Sequence, residues 1–150
     1  MRVTDLPAGV TKSGSSVDGV VWHILGQTYV PKHVCESSMS WHATFPPGTF
    51  VPPHIHTTQE EFIYVLEGRF DLLLDGKEAV AEAGDLVCLP RNVSHGIFNK
   101  TEQPVKCVFW VSPTAKLWDL FVRINNVGDP AEIVRVAPAH EVEFLRAPAE

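Results

Sequence analysis

What most constrains this chain is its punctuation: from Val20 to Val111 short apolar runs alternate with Gly, Pro, Asn and Asp at close spacing. Runs this short, broken this often, read as strands of an all-β sandwich or barrel, because a helix needs a longer stretch free of Gly and Pro. Candidate strands are Val20–Leu25, Met39–Phe45, Pro53–His56, Glu61–Leu66, Phe70–Leu74, Glu78–Ala81, Leu86–Leu89, His95–Asn99 and Val105–Val111. Asp75-Gly76 predicts a type I′ hairpin, since both central residues need positive φ and Gly accepts it without a Cβ clash; Glu67-Gly68 marks another turn. Alternation puts Met39, Trp41, Ala43 and Phe45 on one face of their strand, and groups Val105, Cys107, Phe109 and Val111 in the same way.

After Ser112-Pro113 the period changes. Leu117, Leu120, Phe121 and Ile124 fall at helical spacing and give one apolar stripe. Asp129 can cap a second helix with Pro130 at its first position. The expectation is a single domain over residues 1–150, with a barrel core from about 38 to 112 and a helical tail from about 114 to 146.

The 150 residues suffice for one domain with one core, and the net charge of −6, with Lys and Arg scattered singly, offers no basic stripe for nucleic acid or anionic lipid. No apolar run reaches the roughly 18 residues that a membrane span needs. The stretch MRVTDLPAGVTKSG has the pattern of neither a secretory signal nor a transit peptide, so the cytoplasm is the expected address. Cys35, Cys88 and Cys107 are odd in number, and Cys88 and Cys107 sit in apolar runs, which predicts buried thiols and no disulfide framework.

Chemistry concentrates in HIHTTQEEFIYVLEG. His54 and His56, two apart on a strand, must point the same way and can share one ion. If Ile63 and Val65 fill the barrel, Glu61 faces inward with them, whereas Glu60 points to solvent. Downstream, His95 opens another strand with Ile97 on its side. Such a set of three imidazoles and a carboxylate suits one divalent transition metal per chain, Fe, Mn, Ni, Co or Zn, and not a closed thiolate or all-oxygen site. Gln59 reads as a polar loop residue within reach of the site, and His23, His33, His42 and His140 are assigned no metal role.

These residues resemble the cupin superfamily. Its first motif is met by Gly48, His54, His56, Glu61 and Gly68, and its second by Gly84, Pro90, His95 and Asn99. The one departure is Asn92 in place of a motif Gly, and Asn tolerates the left-handed backbone that such a turn requires. The resemblance implies a double-stranded β-helix, or jelly-roll barrel, and a metal held by His54, His56, Glu61 and His95.

Within the superfamily, PPGTFVPPHIHTTQEEFIYVLEG with WVSP and the helical tail is most similar to quercetinase-type single-domain cupins. That likeness implies an iron-type metal-dependent dioxygenase, an oxidoreductase cleaving a small enolisable or hydroxylated aromatic substrate with O2, with Glu61 as ligand or as catalytic base. Two alternatives stand beside it: a non-redox metal-dependent isomerase, dehydratase or cyclase, and a small-molecule binding or sensor protein without turnover. The partners expected are a small-molecule substrate and a second copy of the chain. The homodimer would use Leu72-Leu73-Leu74, which place apolar side chains on both faces of their strand.

Overall fold

The computed structural model describes residues 6–145. Its strands are β1 (Trp22–Ile24), β2 (Gln27–Val34), β3 (Met39–Phe45), β4 (Phe50–His56), β5 (Glu60–Glu67), β6 (Arg69–Leu74), β7 (Lys77–Glu82), β8 (Leu86–Leu89), β9 (His95–Phe98), β10 (Val105–Ser112) and β11 (Val142–Phe144). They form two antiparallel sheets, ordered β1-β2-β3-β10-β5-β8 and β11-β4-β9-β6-β7. Helices α1 (Leu117–Ile124) and α2 (Pro130–Val136) lie between β10 and β11. The all-β jelly-roll expectation holds.

Period-two patterning builds the core. Met39, Trp41, Ala43 and Phe45 are buried on β3, facing Val105, Cys107, Phe109 and Val111 on β10. The Trp41 and Phe109 rings stack 5.2 Å apart, and Phe45 meets Phe70 of the opposite sheet edge to face at 4.9 Å. Such aromatic pairs add about 0.5–1.5 kcal/mol to the burial itself.

Turn chemistry fixes the register. Asp75 and Gly76 have φ of 52° and 76°, the two positive values of a type I′ turn, and they join β6 to β7. Asn92 adopts φ 65°, so the left-handed turn survives without glycine. Gly68 (φ 88°) has a second reason to be glycine: a Cβ there would stand 2.9 Å from the Pro104 carbonyl oxygen and 3.1 Å from Val105 Cα.

Three expectations need correction. Strand β2 went unread because Pro31 lies inside it; its ladder to β3 shifts register between Pro31 and His33, an irregularity that accommodates a residue with no N–H to donate. Cys107 is buried, as is Cys35, but Cys88 is exposed, because the alternation of β8 turns Val87 and Leu89 inward and Cys88 out. The tail is not wholly helical: after α2 it returns as β11, a strand too short to leave a periodic signal.

Both helices of the tail form as read. α1 buries Leu117, Trp118, Leu120, Phe121 and Ile124, and Asp129 caps α2 by accepting from the Ala131 N–H at 3.0 Å. Position 146, the last of the expected tail, and residues 1–5 of the supposed leader-free start lie outside the described residues. Leu72 faces the core, while Leu73 and Leu74 are half-buried. No helix among the described residues is long and apolar enough to cross a membrane.

Candidate metal centre

The site begins with a proline pair. On β4 the ladder to β9 shifts register between Val51 and His54, across Pro52-Pro53, whose nitrogens carry no proton for a ladder bond. That irregularity resets the alternation, so Val51, His54 and His56 all face inward. His54 then stands opposite His95 on β9, with ring centroids 4.2 Å apart, and the His56 and His95 rings are 5.3 Å apart. These imidazoles come from the five-stranded sheet. Glu61 comes from β5 in the other sheet, carried inward with Ile63 and Val65.

All four expected ligands converge. His54, His56, Glu61 and His95 are 5%, 4%, 3% and 1% exposed, and their donor atoms lie within 4.8 Å of one another. Two donors about 2.1 Å from a common ion are at most about 4.2 Å apart, so a slight contraction would seat one. Glu60 points away and pairs with Arg91 at 3.2 Å. Of the other histidines, none belongs to the cluster.

The hydrogen bonds orient every ring toward the same point. His54 Nδ1 donates to the Pro52 carbonyl at 2.8 Å, His95 Nδ1 to the Val93 carbonyl at 3.2 Å, and His56 Nδ1 to Gln59 Oε1. A carbonyl oxygen can only accept, so each ring carries a proton on Nδ1 and turns Nε2 toward the common point. His56 Nε2 lies 2.8 Å from Glu61 Oε2, and His95 Nε2 lies 4.0 Å from the same oxygen. Yet His95 Nε2 is fully buried with no hydrogen-bond partner among the described residues. A buried polar atom left unpaired costs about 1–3 kcal/mol, which a shared cation would relieve; the donor set therefore fits a divalent transition metal.

Electrostatics agree. Burial, reinforced by the neighbouring imidazoles, holds His54 well below the usual histidine range. Burial and the neighbouring His56 lower His95 to about 3. Both are therefore neutral near pH 7, the state a metal ligand needs. Burial also disfavours the charge on His56, but the Glu61 carboxylate and the hydrogen bonds to Glu61 and Gln59 outweigh it and raise that group.

A cavity of about 50 Å³ adjoins the cluster, room for a few water molecules. Its polar side is His54, His56 and Glu61; Tyr29, Trp41 and Phe109 wall it from the six-stranded sheet, and Phe121, Ile133 and Phe144 close it from the tail. The Phe144 ring lies 5.2 Å from that of His54. Sequence reasoning picked out all four residues that converge here but undervalued Gln59, which is 3% exposed and orients His56. Its position three residues after His56 was the available signal.

Residues 41–111 match the cupin domain family. The chain is 35% identical over 69 residues to "Polyketide synthase CurC" of Streptomyces cyaneus, covering 46% of this chain and 45% of that protein. It is 30% identical over 91 residues to "Tetracenomycin polyketide synthase protein TcmJ" of Streptomyces glaucescens, covering 60% of this chain and 61% of the relative. The matched stretches thus span only about half the length of these relatives. Among solved structures, an RmlC-like cupin from Shewanella frigidimarina superposes with a TM-score of 0.61 at 25% identity, covering 66% of this chain and 87% of that one. Residues 41–111 thus resemble a cupin domain, and the two facing antiparallel sheets give the chain a cupin-type fold.

Proposed function

We propose that the protein is a metal-dependent enzyme acting by non-redox chemistry, as an isomerase, dehydratase or cyclase, on a small and largely apolar substrate that bears a carbonyl oxygen. The observation that carries this reading is the asymmetry of the cavity. One side presents His54, His56 and Glu61, and the remaining lining is aliphatic and aromatic apart from the Tyr29 hydroxyl and the Trp41 indole N–H, which has no hydrogen-bond partner among the described residues. Two relatives are named as polyketide synthase proteins, and a polyketide is a carbon skeleton carrying carbonyl groups, which supports the substrate class.

His54, His56, Glu61 and His95 would hold the ion. When bound, it supplies Lewis acidity toward a substrate oxygen. The rest falls to the chain itself. Nδ1 bonds fix the imidazoles in place, and burial keeps His54 and His95 neutral, so neither needs to exchange a proton with substrate. Glu61 is the carboxylate on the cavity wall and the group that takes a proton from carbon and returns it, as ligand and base together. The Tyr29 hydroxyl already donates to Gln27 Oε1 at 2.8 Å and has no proton to spare for this task. Apolar walls keep bulk water from competing.

The test uses 1-indanone, an aryl ketone whose α-protons exchange slowly alone. Zn(II)-loaded protein under nitrogen should exchange those protons with deuterated water, followed by NMR, and Glu61→Gln should abolish the exchange while keeping most of the metal. Turnover of hydroxylated aromatics that needs both Fe(II) and O2 would instead restore the dioxygenase reading. Tight binding with neither exchange nor turnover would favour the sensor.

A further inference from the structure

The three imidazoles are not oriented alike. His54 and His95 each donate to a carbonyl two residues away on their own stretch of chain, at Pro52 and Val93. His56 alone uses a side chain, and that side chain reaches far in sequence: Gln59 Nε2 donates to the Pro113 carbonyl at 2.9 Å and the Thr114 carbonyl at 3.2 Å. Those two carbonyls demand the NH2 end of the amide, which fixes Oε1 toward His56 and leaves no freedom for the amide to flip.

Pro113 and Thr114 are where the tail leaves β10. The far end of the tail comes back to the same place. Thr57 N–H donates to the Glu141 carbonyl at 3.1 Å, and the Thr58 hydroxyl donates to the Glu141 carboxylate at 2.7 Å. Strand β11 then pairs with the ligand strand, Val142 opposite His56 and Phe144 opposite His54. Both ends of the tail are thus pinned to the stretch His56–Gln59, and the tail between them closes the cavity.

We infer that Gln59 is a positioning residue that couples metal binding to closure of the tail: its carbonyl holds His56 in the tautomer that ligates, and its amide nitrogen holds the tail's root. This rests on the reading of His54, His56, Glu61 and His95 as a metal centre. Coupling of this kind is reciprocal: an ion that fixes His56 tightens the tail, and a loosened tail weakens the ion. Phe121, Ile133 and Phe144 of the tail line the cavity of about 50 Å³, so opening the tail widens the space a substrate can enter. The ion then senses whether the lid is shut.

The experiment measures two quantities on the full chain, Zn(II) affinity by competition with a chelating dye, and hydrogen exchange of the β11 and α1 amides with and without Zn(II). In the unaltered protein, Zn(II) should slow exchange in Val142–Phe144. Gln59→Leu removes both bonds; it should weaken Zn(II) by about 10–100-fold, the usual effect of losing an outer partner, and make tail exchange indifferent to Zn(II). Gln59→Glu keeps an acceptor for His56 Nδ1 but has no proton for Pro113 and Thr114. It should hold Zn(II) more tightly than Gln59→Leu does, short of the unaltered protein only by what the tail contributed, while the tail exchanges as fast as in the metal-free protein. A merely structural glutamine predicts that affinity and tail protection fall by the same amount in both variants, and that result overturns the proposal. So does Zn(II)-dependent tail protection persisting unchanged in Gln59→Leu. Failure of the unaltered protein to bind Zn(II) would instead sink the metal reading itself, and unchanged β3 and β10 exchange verifies that each variant is folded.

Discussion

The barrel and the tail enclose the same cavity by different means. In the barrel β5 is held between β10 and β8 and β9 between β4 and β6, while β4 has β9 on one side and the tail's β11 on the other. Of the tail's elements, α1 has eight residues, α2 seven and β11 three. Helices that short do not persist in water alone, so the tail is ordered by its apolar contacts and a handful of bonds at its two ends. The family match ends at residue 111, just before the tail begins. The lesson is a division of labour. Groups that must stay within a few tenths of an ångström of one another sit on laddered strands, and the wall that must move aside to admit a substrate hangs on the weaker segment.

The largest expected effect breaks the barrel's side of this division without touching the tail. His95→Ala removes a ligand and should lose the ion altogether, a greater loss than the roughly 10–100-fold of an outer partner, as read by metal analysis after gel filtration. The barrel should stay folded by circular dichroism, because its core and not the ion supplies its stability. Ion retained at full occupancy in both His95→Ala and His54→Ala would refute the ligand assignment.

Legibility in the sequence follows the same line between local and distant causes. The four clustered residues were readable because strand alternation and motif spacing are local: His54 and His56 two apart, Glu61 in phase with Ile63 and Val65, His95 in phase with Ile97. The Asp75-Gly76 turn and the Asp129 cap were readable for the same reason, each being a backbone requirement met within a few residues. Strand β2 was hidden by Pro31, whose place is granted by a shift in pairing with β3 that no local pattern announces. Cys88 was misplaced because an apolar run on a half-buried edge strand looks like one buried on both faces. Gln59 was undervalued because its meaning lies in Pro113 and Thr114, more than fifty positions away. The quercetinase-type reading asked more of the motifs than they hold, since metal spacing is shared by many chemistries.

Acid offers a sharper test of where the barrel is vulnerable. In metal-free protein, burial lowers His95 to about 3 and pushes His54 well down, while the unfolded chain titrates near the ordinary value of about 6.5. Between those values the unfolded state binds more protons, so stability falls as pH falls, by up to about 1.4 kcal/mol per pH unit for each group. His56 has the opposite sign: its raised value gives stability that is fully present below the ordinary histidine range and fades as pH rises through the raised value. As pH falls from about 6.5 to about 5 the His56 effect levels off, because His56 becomes protonated in both states, while the first effect keeps growing. Urea midpoints of the metal-free protein should drop across that interval, and saturating Zn(II) should delay the drop until protons displace it. A flat profile would mean that the imidazoles are hydrated rather than enclosed.

The smallest effect asks whether barrel and tail are one cooperative unit. Phe121 of α1 is 8% exposed, and its ring lies 5.1 Å from that of Trp41 and 5.3 Å from that of Tyr29. Truncating such a residue to alanine ordinarily costs about 3–5 kcal/mol, transfer and cavity together. That full cost registers only if the tail cannot let go by itself. If the tail opens below the global transition, the loss is capped at the free energy of that opening, since a detached tail no longer feels the missing ring. Phe121→Ala should therefore bring α1 and β11 amides close to unprotected exchange, while β3 and β10 amides and the urea midpoint change by much less than the full cost. A midpoint falling by the whole amount, with barrel and tail amides losing protection in step, would make the tail part of the core. Substrate entry would then need a route other than the one Phe121 and Phe144 close.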